Sequence, residues 1–137
     1  MTMNAKYDRG EQSAGNIVHM EHVNLMIPEQ PSALLFYITG LRLTRDPYLM
    51  TGLDNMWINM GRSQFHLPKR DPSPQILRGA IGLVVPDLEA IETSLNSVKE
   101  QLSGSAFSFE RKNNYVEAIC PWGNKLNSSK ANFAKGK

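Results

Sequence analysis

From Ile17 to Ile27 the apolar residues Val23, Leu25 and Ile27 share one parity, while His22, Asn24 and Met26 share the other. That alternation predicts a strand with one face buried and the other facing something wet. Pro28 to Thr39 then reads as a helix: Pro31 suits a first turn, Leu34, Leu35 and Ile38 fall at helical spacing, and Gly40 stops it. Three short strands are expected at about 41–46, 55–60 and 63–67, separated by PYLMTGLD and by a Gly-Arg turn.

After PKRDPSPQ, with three prolines in eight residues, the same order restarts. Segment 78–85 is apolar enough for a strand, and Asp87 caps a helix whose residues Leu88, Ile91, Leu95, Val98 and Leu102 recur every three or four positions. Gly104 ends it; AFSFE, NYVEAIC and NKLNS supply three more strands, the last after the turn Pro121-Trp122-Gly123. The repeat is verbal too: HVNLMIPE at 22–29 returns as AIGLVVPD at 80–87, 58 positions later, with a histidine at the head of the first copy alone.

One such unit would leave a sheet face uncovered, so two copies complete one another. The expected architecture is α+β: two βαβββ modules, about 17–68 and 77–128, forming a curled mixed sheet round a central cavity with one helix backing each module. Residues 1–16 and the Lys-rich residues 129–137 are expected to be flexible tails.

Charge alters this picture little. The formal net charge is +2, but Lys125, Lys130, Lys135 and Lys137 all lie in the last 13 residues; without them the body is mildly acidic. Nucleic-acid and membrane partners are therefore not expected. The polar N-terminus lacks the apolar core of a secretion signal, and the lone Cys120 has no internal disulfide partner, so a cytoplasmic location is expected.

The phrases HVNLMIPE, ALLFYITGLRL, FHLP, GLVVPDLEA and CPWGNKL, in that order, resemble the vicinal oxygen chelate superfamily, which holds glyoxalase I, extradiol dioxygenases and the fosfomycin and bleomycin resistance proteins. In its metal-dependent members, ligands sit on the first and last strands of each module. The resemblance then places His22 and His66 in the first module, and Ala80 and Asn127 at the matching positions of the second. Ala80 has no lone pair, and Asn127 offers a neutral amide where a carboxylate is usual. A set of His22, His66 and Asn127 would hold one divalent ion (zinc, nickel, manganese or iron) poorly, since no anionic ligand offsets its charge.

Two functions follow. The first is a binding module for a small organic molecule, with His22, Asn24, Gln64 and His66 as polar contacts and Trp57 or Met56, whichever faces inward, as apolar wall. The second is a divalent-metal lyase or extradiol-type dioxygenase, with His22 and His66 as ligands and Glu117 as general base or additional ligand. A homodimer is expected from the resemblance, and CPWGNKL also resembles the point where four-module relatives continue. His19 has the wrong parity for the cavity, and Cys120 has no cationic neighbour to activate it.

Overall fold

The computed structural model describes residues 8, 11, 17–47, 54–69 and 73–130. Both expected modules form, in the expected order. The first contains β1 (His22–Asn24), helix α1 (Gln30–Ala33, continued by Leu34–Gly40), β2 (Thr44–Arg45), β3 (Asn55–Met60) and β4 (Ser63–Pro68). The second contains β5 (Ala80–Val85), helix α2 (Leu88–Ser97), β6 (Ser108–Arg111), β7 (Tyr115–Ile119) and β8 (Lys125–Lys130). Each makes one four-stranded mixed sheet, in the orders β1-β4-β3-β2 and β5-β8-β7-β6, with the first and last strands of each module parallel.

The two sheets are not joined into one. β1 and β5 are both edge strands, so the expected curled sheet is open along that seam. β1 is also shorter than the expected 17–27, because only His22–Asn24 pair continuously with β4, and Ile27 rejoins through a single bridge to Lys69. At the other end, β8 runs on to Lys130. Of the loop PYLMTGLD, residues 48–53 lie outside the described residues, as do 70–72 of PKRDPSPQ, 131–137 of the C-terminal tail and most of 1–16.

Helix α1 begins with one α-turn, Gln30–Ala33, in which the Glu29 carboxylate accepts from the Ser32 N–H at 2.9 Å and Pro31 stands where no N–H is needed. The remainder, Leu34–Gly40, is wound wider, with π-type bonds such as Leu41 N–H to Phe36 O at 2.9 Å. Asp87 caps α2 as its position predicts, its carboxylate accepting from Ala90 N–H at 3.1 Å. The regular part of α2 stops at Ser97, and the chain continues as turns to Gly104, a left-handed residue (φ 86°).

Packing follows from the strand parities. Met56, Ile58, Phe65 and Leu67 point from the first sheet, and Val116, Ala118, Leu126 and Ser128 from the second, into one buried core. Tyr37 of α1 meets Phe65 of β4, ring centroids 5.6 Å apart, and Phe36 meets Phe107, at 5.9 Å, so α1 contributes to both halves. Gly40 lies against α2: a Cβ there would come 3.1 Å from Leu95 Cδ2.

Between the modules, a clamp of amides fixes the linker. Gln75 donates its N–H to Met26 O at 3.0 Å and accepts from Met26 N–H through its side chain at 3.2 Å. Asn124, nearly fully buried, accepts from Leu77 N–H and donates to Gln75 O, both at 2.8 Å. The end of β1 is thereby tied to the turn before β8.

Candidate functional site

The face of the first sheet turned away from the helices carries two cross-strand rows. In the first, Thr44, Asn59, Gln64 and His22 are successive neighbours; in the second, Trp57, His66 and Asn24. Strand pleating puts all of these on one side, because the residues that alternate with them along β3 and β4, Met56, Ile58, Phe65 and Leu67, are buried in the core.

Three rings form the centre. Trp57 and His66 stack at 4.1 Å with planes 10° apart, while His22 meets Trp57 edge-on at 5.0 Å and lies 6.3 Å from His66. Amides fix the His66 ring: Nδ1 lies 3.0 Å from Asn24 Oδ1 and Nε2 lies 2.8 Å from Asn55 Oδ1. His22 Nδ1 lies 2.9 Å from the Glu21 carboxylate. Along the first row, the Gln64 amide donates to Asp46 Oδ2 at 2.7 Å and to Asn59 Oδ1 at 3.0 Å, and Asn59 donates in turn to Thr44 Oγ1 at 3.2 Å.

His22, Asn24, Gln64, His66 and Trp57 are thus gathered on one face. Met56 is not. Its side chain is fully buried in the core, because an odd step along β3 reverses the face, and Trp57 takes the place as apolar wall. Asn55, Asn59 and Asp46 belong to the same network and were not singled out from the sequence; their signal was the shared parity of Asn55, Trp57 and Asn59. His19 lies before β1 begins and is exposed, although it shares the parity of the core residues Leu25 and Ile27.

The second module repeats the register with different chemistry. His66 opposes Trp57 and Asn24 across its neighbours; Asn127 opposes Glu117 and Gly82 in the same way. The stacked aromatic pair is replaced by a carboxylate and an amide, and the locking Asn24 by a residue without a side chain. Lys125, at the position matching Gln64, pairs with Glu117 at 3.6 Å. Asn127 Oδ1 is buried with no hydrogen-bond partner among the described residues.

These residues do not fit the divalent ion that the resemblance implies. Both His66 nitrogens already face amide oxygens, Glu117 and Asn127 stand on the other sheet, and the Glu21 carboxylate at the ring cluster is turned to His22 Nδ1. Among the described residues, no group of three or more His, Cys, Asp or Glu side chains is placed to hold a metal. What the face can do is stack and hydrogen-bond. Elsewhere, burial raises the Tyr37 phenol well above its usual range, helped by Cys120, whose thiol lies against it. That pair is inside the core and takes no part in the face.

No protein-family model matches the sequence, and no curated protein matches it. Solved structures do. A lactoylglutathione lyase from Agrobacterium tumefaciens is 15% identical, with a TM-score of 0.57, covering 85% of this chain and 96% of its own. The genomically encoded fosfomycin resistance protein FosX from Listeria monocytogenes is 9% identical, with a TM-score of 0.61, covering 88% and 99%. A member of the glyoxalase/bleomycin resistance protein/dioxygenase superfamily from Sphaerobacter thermophilus is 16% identical, with a TM-score of 0.55, covering 84% and 98%. With its paired modules, parallel first and last strands and helices on one side of each sheet, the chain has the fold of the vicinal oxygen chelate superfamily.

Proposed function

We propose that this chain binds a small organic molecule on the His22–Trp57–His66 face, as a metal-poor protein of the glyoxalase/bleomycin resistance type. The observation that carries the reading is the parallel stack of Trp57 on His66, held on a half-exposed sheet face by the amides of Asn24 and Asn55. Two aromatic rings locked in place outside the core cost little further entropy when a ligand covers them. The likeness to a lactoylglutathione lyase and to a fosfomycin resistance protein supports a small-molecule ligand without naming it.

A thermal-shift screen against glutathione adducts, catechols and fosfomycin tests the reading. A ligand that raises the melting temperature of the natural protein, and loses its effect in Trp57→Leu, supports it. Ligands that bind indifferently to Trp57→Leu and His66→Leu would move the site elsewhere. Metal analysis of tag-free protein, with His22→Ala and His66→Ala as controls, checks the lyase or dioxygenase alternative: stoichiometric metal lost in both variants would establish it instead.

A homodimer belongs to the same proposal. Its support is the unpaired edge of β5 and the apolar side chains beside it, Val84 being 70% exposed and Met20 61%. Light scattering coupled to size exclusion gives the mass directly. A cytoplasmic location is likewise proposed, supported by the single, buried, unpaired thiol of Cys120. Among the described residues, no helix is long and apolar enough to cross a membrane.

A further inference from the structure

We propose that two copies of this chain join through β5, antiparallel and centred on Gly82, so that their second-module sheets run on as one; the pairing rests on the homodimer proposed above and names its interface.

The four sheet edges are not alike. β1 and β2 are three and two residues long, and β6 carries Glu110 and Arg111. Shortness and charge are the usual protection of an edge against a further strand. β5 has neither: Ala80–Val85 is six residues long, AIGLVV, without charge or proline. One side of it is taken by β8, and among the described residues no backbone bond from outside the sheet reaches it. The first module stands back, walling a groove along β5 with Met20, Leu43 and Met60. Peptide groups left unpaired beside such apolar walls favour a partner strand that brings its own donors and acceptors.

Charge selects the partner. Arg78 lies two residues before the strand and Asp87 two after it, both exposed, so the segment is positive at one end, negative at the other and neutral between. An antiparallel copy sets each Arg78 beside the Asp87 of the other, twice in one two-fold interface, whereas a parallel copy sets like charges together. Capping α2 through Oδ1 leaves Asp87 its charge. Parity then fixes the register, because opposed residues of a two-fold antiparallel pair share a face. Ile81, Leu83 and Val85 pack against the core, while Ala80, Gly82 and Val84 are exposed. Centred on Gly82, Ala80 of one copy covers Val84 of the other and Ile81 meets Leu83; centred on Leu83, Val84 would meet only glycine.

Gly82→Cys tests the pairing directly, since a Cβ at Gly82 meets nothing within 4 Å and the native Cys120 is buried. Opposed residues of an antiparallel pair have Cα atoms about 4.5–5.5 Å apart, within disulfide reach. Oxidised by air, this variant is expected to run as a linked dimer on a non-reducing gel, while Ser108→Cys, at the far edge of the same sheet, runs as a monomer. Light scattering is expected to return a dimer for the natural protein, with a dissociation constant raised at least about tenfold by Arg78→Glu and by Val84→Lys, whose side chains are both exposed. A dimer that withstands both substitutions and leaves Gly82→Cys unlinked overturns the pairing but not the homodimer. A natural protein that is monomeric at every concentration overturns both and leaves the edge to a different chain.

Discussion

Trp57 and His66 are directly opposed on β3 and β4, and their rings lie parallel at 4.1 Å. Directly opposed residues on one sheet face are the unit in which side chains stabilise a sheet, and aromatic pairs add about 0.5–1.5 kcal/mol beyond the area they bury. A double-mutant cycle of Trp57→Leu and His66→Leu, read by urea unfolding, is expected to return a coupling energy in that range. Additive losses would mean that the stack is only proximity.

Inside the core, Tyr37 of α1 reaches Cys120, which precedes the turn into β8, and so links the two modules. Cys120 Sγ also accepts from the N–H groups of Asn124 at 3.2 Å and Trp122 at 3.4 Å. Tyr37→Phe removes a buried hydroxyl with a partner and is expected to cost about 0.5–1.5 kcal/mol at neutral pH. The pH dependence has a definite sign. Burial raises the phenol above its ordinary value of 10.0, so the folded protein keeps a proton that the unfolded chain releases. Its contribution is therefore complete below pH 10.0 and lost as the pH rises toward the folded value. Unfolding midpoints measured up the alkaline range should fall more steeply for the natural protein than for Tyr37→Phe.

How much of this was legible depended on whether the signal was local. Asp87 before an apolar helix and the parity of His22 against Val23 are short-range patterns, and both were read correctly. Met56 and Trp57 could not be separated by hydrophobicity, since both are large and apolar; only the register of β3 against β4 assigns Met56 to the core. Asn55 and Asn59 were overlooked because asparagine in a strand carries little pattern of its own, and its role here depends on partners up to 15 residues away. The open seam between β1 and β5 was not visible either, because edge pairing is a relation between modules that neither repeat encodes alone.

The clamp at the module junction gives a third stability prediction. Asn124 is 3% exposed and satisfies Leu77 N–H and Gln75 O with its two ends. Truncation in Asn124→Ala strands both backbone groups at a part-buried site, at about 1–3 kcal/mol for each. Asn124→Asp keeps the acceptor for Leu77 but sets a carboxylate oxygen against Gln75 O, so it should recover little of the loss. Urea midpoints of the two variants within experimental error of the natural protein would show that the junction relaxes without them.

Gly40 invited reading as a helix stop, yet its φ is not positive, so backbone freedom is not what requires glycine there. The structure supplies a different reason: α1 and α2 approach so closely that an added Cβ would lie 3.1 Å from Leu95 Cδ2, 3.3 Å from Leu35 O and 3.6 Å from Val98 Cγ2. Alanine asks Leu95 to yield by a few tenths of an ångström, and its better helix propensity, worth up to about 1 kcal/mol, works against that cost. Gly40→Ala should therefore change stability little. Valine adds two methyl groups to the same gap, where the Leu35 carbonyl offers no room, and overpacking of this kind costs about 1–3 kcal/mol. Calorimetric melting of both variants separates the explanations: a stop that needed only glycine's flexibility would penalise alanine and valine alike, whereas a close approach between the two modules penalises valine far more.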